Sequence, residues 1–319
     1  MILLIQKVQH SLLDKSGVLL SMARADLIHP LASGNKIYKL MPNIDFAKAH
    51  GYSELLSFGG AFSNHIHALA LMAKKHNLKS IGIIRGEEAY RTNPTLQDAE
   101  KAGMHLEFIS RQDYKRRNDE SYLQELQRRY PKALMIPEGG SSQDAIKGCA
   151  QLAKEINEAH EKNIKRRSDV ITVACGTGAT VAGLVCGSSK NQIIMGYSVL
   201  RDESLQKRVE NFVSAENKSY KDLRIESAAY GGYAKLDEAQ LDFILDWLEQ
   251  TRILLDPIYT SKMCMRLMQQ IKSGEFEAGT RITMVHSGGL QGWRGMKSRV
   301  IKLVGTEKWQ KIEKHLPKG

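Results

Sequence analysis

From residue 53 onward, short apolar runs alternate with segments whose apolar residues recur every three or four positions, and the run-ending turns are rich in glycine. Runs at 53–58, 79–84, 106–109 and 133–136 read as strands, while 41–50, 63–75, 95–102 and 122–129 carry helical spacing, as in Ile66, Leu69, Ala70 and Met72. Strands separated by helices cannot pair as hairpins, so each connection must cross over, which predicts a parallel sheet with right-handed crossovers. The pattern continues on a larger scale: a helix at 142–160, a buried strand at 170–174, a helix at 179–186, a strand at 192–199, helices near 202–216 and 238–250, a strand at 281–285 and a helix from Gly292. A chain of 319 residues exceeds one small core, and no Pro/Ser-rich linker divides it, so two lobes sharing an intimate cleft are expected.

Composition removes several classes of function. No apolar run approaches the roughly 18 to 20 residues of a membrane span, and the apolar start at 1–6 is too short for a signal peptide, so a cytoplasmic location is expected. Cys149, Cys175, Cys186 and Cys264 lack metal or redox spacing and read as buried thiols, and His65 and His67 are two apart on a helix and face different ways, so no metal is expected. A net charge of +11 invites a nucleic-acid reading. The dense basic runs, Lys115-Arg116-Arg117 and Lys165-Arg166-Arg167, sit in polar stretches without interleaved aromatics, so they read as solvated surface.

The chemistry concentrates at the turns. Lys36 follows a turn at 30–35 that Gly34 allows to be tight, and Asn35 can cap the helix that carries it. An amine held at a helix N-terminus and partly desolvated loses its proton readily, as Schiff-base chemistry requires. Ala174-Cys175-Gly176-Thr177-Gly178-Ala179-Thr180 follows a strand and opens a helix, where amides and hydroxyls can surround a phosphate. It is not a dinucleotide fingerprint, since Val181 stands where the third glycine belongs, and no Walker lysine follows; an ordinary strand-to-helix turn is the plain alternative. Gly59-Gly60-Ala61-Phe62-Ser63-Asn64-His65 presents a hydroxyl, an amide and an imidazole suited to a carboxylate, or merely a serine cap. Asp256-Pro257-Ile258-Tyr259-Thr260-Ser261-Lys262 precedes a Met-rich helix, and His286-Ser287-Gly288-Gly289 closes the last strand.

Taken in order, Ser-Gly-Asn-Lys-x-x-Lys-Leu, Gly-Gly-x-x-Ser-Asn-His, Ile-Pro-Glu-Gly-Gly-Ser, Gly-Thr-Gly-x-Thr-x-Ala-Gly, Asp-Pro-x-Tyr-x-x-Lys and His-x-Gly-Gly form a set that resembles the pyridoxal-phosphate family of D-cysteine desulfhydrase and 1-aminocyclopropane-1-carboxylate deaminase, in a match running from about residue 24 to 292. The resemblance implies an α/β, two-domain fold type II (tryptophan synthase β-like), with parallel sheets and helices on both faces. A small domain at 45–140 would be set into a large one of 1–44 and 141–319, and a homodimer is implied. It further implies that Lys36 holds pyridoxal 5'-phosphate as an imine, that Lys39, Thr177, Gly178, Ala179 and Thr180 bind its phosphate, and that Asn64 meets its ring hydroxyl. Ser63, Asn64 and His65 would hold a substrate carboxylate, with Tyr259 and Tyr233 on the substrate side.

Two positions bear on the activity. The deaminases carry glutamate where this chain has Thr260, and leucine where it has Ser287. A carboxylate keeps the pyridine nitrogen protonated and the ring a strong electron sink, whereas a hydroxyl only hydrogen-bonds a largely neutral ring. Opening an unactivated cyclopropane should need the stronger sink, and the thiol-eliminating members carry a small hydroxyl residue at the position of Ser287, so by this resemblance both residues favour β-elimination on a small D-amino acid, D-cysteine giving pyruvate, hydrogen sulfide and ammonia. In that reaction freed Lys36 removes the α-proton, and Tyr259 or Tyr233 assists the leaving sulfur or steers the proton. The alternatives are a deaminase releasing 2-oxobutanoate and, in another class, a non-catalytic basic protein that keeps the fold. Tyr38, Ala25 and the short Tyr230-Gly231-Gly232-Tyr233 loop depart from the family pattern.

Overall fold

The computed structural model describes residues 3–29, 34–216, 220–232 and 234–316. In chain order these form β1 (Ile5–Lys7), α1 (Ser11–Ser16), β2 (Leu19–Ala23), α2 (Lys36–Ala49), β3 (Glu54–Gly60), α3 (Asn64–Lys75), β4 (Lys79–Arg85), α4 (Pro94–Lys101), β5 (Met104–Ile109), α5 (Arg111–Tyr114), α6 (Glu120–Arg129) and β6 (Ala133–Ile136). There follow α7 (Gln143–Ile164), β7 (Val170–Cys175), α8 (Ala179–Gly187), β8 (Ile193–Ser198), α9 (Leu205–Ser214), β9 (Asp222–Ser227), α10 (Glu238–Thr251), α11 (Thr260–Lys272), β10 (Arg281–Val285) and α12 (Lys297–Glu313).

Two sheets result. A four-stranded sheet in the order β5-β4-β3-β6 is wholly parallel, and a six-stranded sheet in the order β1-β2-β10-β7-β8-β9 is parallel except where β1 meets β2. Alternate residues of one strand serve different cores, because side chains of a strand point to opposite faces. Leu55 joins Ile66 and Leu69 on one side of β3, while Leu56 and Phe58 join Tyr114 and Leu126 on the other. In β7, Ile171 and Val173 pack with α7 and α8 residues, and Val170 and Ala174 pack toward α11. Both sheets are thus apolar on both faces and covered by helices on both, as expected for parallel sheets.

The strands β1, β2 and β9 are absent from the sequence reading. β1 and β9 are edge strands with weak alternation, and in Asp222–Ser227 only Leu223 is buried, so neither shows a hydrophobic period. The helix read from Gly292 is a 3-10 stretch, Leu290–Met296, before α12 begins at Lys297.

The helix that carries Lys36 is pinned by a close approach. Pro42 lies inside α2 and cannot donate to Tyr38, and that carbonyl faces Gly148 of α7, where a Cβ would lie only 1.9 Å away. Gly34, at φ +72°, is fixed the same way, since a Cβ there would sit 1.8 Å from the Ser287 carbonyl oxygen. The turns at Gly34 and Ser287, 253 positions apart by number, are therefore in backbone contact.

Candidate active site

The C-terminal ends of β3, β7 and β10 open onto one cavity of about 670 Å³. Its wall includes Lys36, Lys39, Ser63, Asn64, His65, Thr177, Gly178, Thr180, Tyr259 and Ser287, so most residues singled out from sequence meet there. Ala179 is fully buried behind the turn, and Thr260 is buried at the start of α11; neither is in the cavity wall. Tyr233 lies outside the described residues.

The turn after β7 ends at Gly178, in the left-handed region at φ +97°, and α8 begins at Ala179. The first N–H groups of a helix have no intrahelical partner, and they add to the positive end of its dipole. Thr177 accepts from Ser141 Oγ at 2.5 Å. Lys39, only 3 % exposed, donates to the Gly139 carbonyl at 3.0 Å, and Gly139 is packed against Thr177, where a Cβ would lie 2.9 Å from Cγ2. Burial lowers the pKa of the Lys39 ammonium. A buried cation beside a helix start makes this side of the cavity a seat for a dianion.

Lys36 stands at the first position of α2, and its Nζ donates to Asn35 Oδ1 at 2.7 Å. The Asn35 amide in turn donates to Thr180 Oγ1 at 2.7 Å. Asn35 was expected to cap α2; instead it makes no side-chain cap bond, because both of its polar atoms are committed across the site. Burial, and then the neighbouring Lys39 charge, bring Lys36 down to about 7, so near neutrality a large share of this amine is unprotonated.

Across the cavity, Ser63 caps α3, its Oγ accepting from Ile66 N at 3.2 Å. Asn64 Oδ1 accepts from Gln291 Nε2 at 2.6 Å, and its Nδ2 lies so close to Gly289 that a Cβ there would be 2.4 Å away. His65 is 2 % exposed, and its Nε2 is 2.8 Å from Ser57 Oγ. Since the Ser57 hydroxyl proton goes to the Ile136 carbonyl at 2.7 Å, His65 must donate from Nε2, which leaves Nδ1 as a buried acceptor without a hydrogen-bond partner among the described residues. Burial and the charges of Lys36 and Lys39 hold this imidazole well below its usual pKa, so it is neutral. The Tyr259 ring covers Gly176, where a Cβ would be 3.4 Å from Cε1.

Sequence reading missed the supporting residues: Gln291, Ser57 and Lys262. The Lys262 side chain is fully buried and donates to the carbonyls of Gly232 at 2.6 Å and Ala229 at 3.2 Å, holding the 229–232 loop. Its place in the Asp-Pro-x-Tyr-x-x-Lys run was the available signal. The basic run at 115–117 also departs from expectation. Arg116 and Arg117 stack on Tyr122 and Tyr114 at 5.0 and 5.1 Å, aromatics that flank the run without interleaving it, and Lys115 and Arg117 line the cavity rather than plain surface. Among the described residues no cluster of metal-ligating side chains occurs, and no helix is long and apolar enough to cross a membrane.

A family model described as "Pyridoxal-phosphate dependent enzyme" matches residues 22–288. A provisionally named 1-aminocyclopropane-1-carboxylate deaminase of Pyrococcus abyssi is 30% identical over 86% of this chain and 86% of its own. The mitochondrial bifunctional D-cysteine desulfhydrase/1-aminocyclopropane-1-carboxylate deaminase of Arabidopsis thaliana is 27% identical over 93% of this chain and 78% of its own. The crystal structure of an ACC deaminase homologue superposes with a TM-score of 0.84 at 26% identity, covering 95% of this chain and 94% of that one.

The residues present fit such a cofactor. An amine near its neutral form suits a reactive carbonyl, the Thr177–Thr180 turn and Lys39 suit a phosphate, and at the cavity wall His65 Nδ1 is a buried polar atom with no hydrogen-bond partner among the described residues; Thr260 Oγ1, next in sequence to the wall residue Tyr259 but itself outside the wall, is another.

Proposed function

The chain belongs to the family of pyridoxal-phosphate-dependent enzymes, and on that premise we propose that it catalyses β-elimination on a small D-amino acid, D-cysteine foremost, releasing pyruvate, hydrogen sulfide and ammonia. The fold is type II, and the enzyme depends on pyridoxal phosphate and acts on a small molecule. When bound, the cofactor supplies an electron-withdrawing ring that stabilises negative charge at the substrate Cα.

In this reading Lys39, with Thr177, Gly178, Ala179 and Thr180, holds the phosphate, and Asn64, oriented by Gln291, meets the ring hydroxyl. Lys36 anchors the cofactor and, once free, its neutral amine accepts the Cα proton. The low pKa supports that role, because an amine already protonated could take nothing. Ser63, Asn64 and His65 hold the substrate carboxylate with neutral donors, His65 through its backbone N–H because its ring Nε2 is committed to Ser57, and Tyr259 and Ser287 bound the substrate side. The same reading includes the small domain at 45–140, the large domain of 1–44 and 141–319, and a homodimer, which sedimentation tests.

The observation that carries the choice of elimination is Thr260. Its hydroxyl is uncharged, wholly buried and without a hydrogen-bond partner among the described residues. The nearby carboxylate cannot take its place: Asp256 accepts from the amides of Ile258, Tyr259 and Thr260 at 3.0, 2.8 and 2.7 Å. A ring nitrogen met by a hydroxyl stays largely neutral, which suffices for expelling a good leaving group from Cβ. The names of the relatives favour a second reading, deamination of 1-aminocyclopropane-1-carboxylate to 2-oxobutanoate. Identification of the keto acid formed from D-cysteine and from the cyclopropane in parallel decides: 2-oxobutanoate without pyruvate would replace the first reading by the second.

A further inference from the structure

We propose that the cavity contains a third anion subsite, built on Arg85 with Arg111 and Lys115, which favours amino acids whose side chain ends in an oxyanion over their uncharged counterparts. The inference rests on the β-elimination reading above and extends its substrate class beyond D-cysteine, whose side chain carries no oxyanion.

The charge of the cavity wall is lopsided. Besides Lys36 and Lys39 on the cofactor side, it carries Arg85, Arg111, Lys115, Arg117 and Lys235, against one carboxylate, Glu138. That carboxylate is already spent: Oε1 accepts from Tyr114 Oη at 2.7 Å and Oε2 from Arg117 Nε at 2.6 Å. Among the described residues no carboxylate pairs with Arg85, Arg111 or Lys115, although all three line the cavity.

Arg85 is held in place. It ends β4 in register with Gly60, and its Nη2 would be 3.6 Å from a Cβ on that glycine. The guanidinium lies 5.6 Å from the centre of the Tyr114 ring, and that buried ring is fixed by Glu138. Gly60 also accepts from Ser63 N at 3.0 Å, so the cation stands beside the turn assigned to the α-carboxylate. The expected ligands leave it without a partner. The cofactor phosphate is served by Lys39 and the Thr177–Thr180 turn, and the α-carboxylate by the neutral Ser63–His65 turn. Concave walls focus the field of like charges, so a further anion is favoured beside Arg85. A guanidinium suits carboxylate, sulfonate and phosphate alike.

The test is calorimetric titration of the holoenzyme with two pairs of ligands differing only by the oxyanion, aspartate against alanine and O-phosphoserine against serine, each as both enantiomers. The oxyanion member of each pair should bind about five- to tenfold more tightly, with the ratio falling as salt rises, since the cations are solvent-exposed. Arg85→Gln should bring the ratio close to one, and Arg111→Gln should lower it. A ratio at or below one in the wild-type enzyme, or a ratio untouched by both substitutions, overturns the proposal. Parallel weakening of all four ligands also overturns it, because it would make Arg85 a general attractor. Cofactor absorption recorded in the same titrations separates the two levels: a spectral response with no oxyanion preference removes this subsite alone, and silence with all four ligands removes the functional reading as well.

Discussion

The amide nitrogen of Asn35 donates to the hydroxyl of Thr180 across 2.7 Å, while the oxygen of the same side chain accepts from the Lys36 amine. One asparagine thus ties the start of α2 to the first turn of α8, and fixes the reactive amine relative to the proposed phosphate seat.

Lys36 is expected to carry the cofactor covalently. Borohydride reduction followed by peptide mapping should place the cofactor mass on the peptide containing Lys36, and Lys36→Ala should lose both the adduct and at least about 10³-fold in turnover. An adduct on Lys39 instead would reverse the two assignments.

Cofactor uptake by the apoprotein should rise through pH 7 and level off above it. The reactive form is the neutral amine, and burial together with the Lys39 charge sets its pKa at about 7. Asn35→Asp would place a negative charge beside the ammonium and favour it, moving the midpoint to higher pH. Stopped-flow absorbance against pH reads both, and a midpoint unmoved by the aspartate would deny the coupling.

Thr260→Val should have opposite effects with and without cofactor. In the apoprotein it removes a buried hydroxyl that has no hydrogen-bond partner among the described residues, so stability should hold or rise by up to about 1 kcal/mol. With cofactor present the lost contact should weaken binding by about five- to tenfold, read by equilibrium dialysis. Unchanged affinity would remove Thr260 from the site.

Asp98 should govern part of the acid limb of stability. It accepts from His67 at 3.2 Å and pairs with Arg294. Burial acts to raise its pKa, but those bonds and charges prevail and hold it at about 2, below the ordinary 3.8. A carboxylate depressed in the folded state stabilises it above the ordinary value, and that contribution is lost as pH falls from about 4 to about 2. After solvent screening it should amount to on the order of 1 kcal/mol, and Asp98→Asn should flatten that part of the curve in urea titrations.

Gly34→Ala should cost at least about 2 kcal/mol and most of the activity, since the residue is at φ +72° and its new methyl would meet the Ser287 carbonyl. Chemical denaturation with a parallel turnover assay checks it.

The alternation of apolar runs and helical spacing was enough to fix the α/β class and most element positions, including Ala133–Ile136 and Arg281–Val285 to the residue. Local patterns carry that much because burial of both faces of a parallel strand imposes its own composition. The edge strands β1 and β9 escaped because an edge buries too little to impose a period.

The order of the glycine-bearing turns likewise made Lys36, the Ser63–His65 turn and the Thr177–Thr180 turn legible, since each needs residue types that the backbone itself demands. What those side chains do to one another was decided only by the tertiary structure. Asn35 looked like a helix cap until Thr180, 145 positions away, proved to be its partner, and Gln291 gave no local sign that it would orient Asn64. Lys115 read as solvated surface, and Arg85 and Arg111 carried no sequence signal, until the folded chain set all three in the lining of one cavity with a single, already occupied carboxylate. The physical reason is one of range. Backbone preference and side-chain period act over a few residues and leave a mark in the sequence, whereas pairing, desolvation and the summed field of a cavity depend on distances in space that only closure of the two sheets around the site defines.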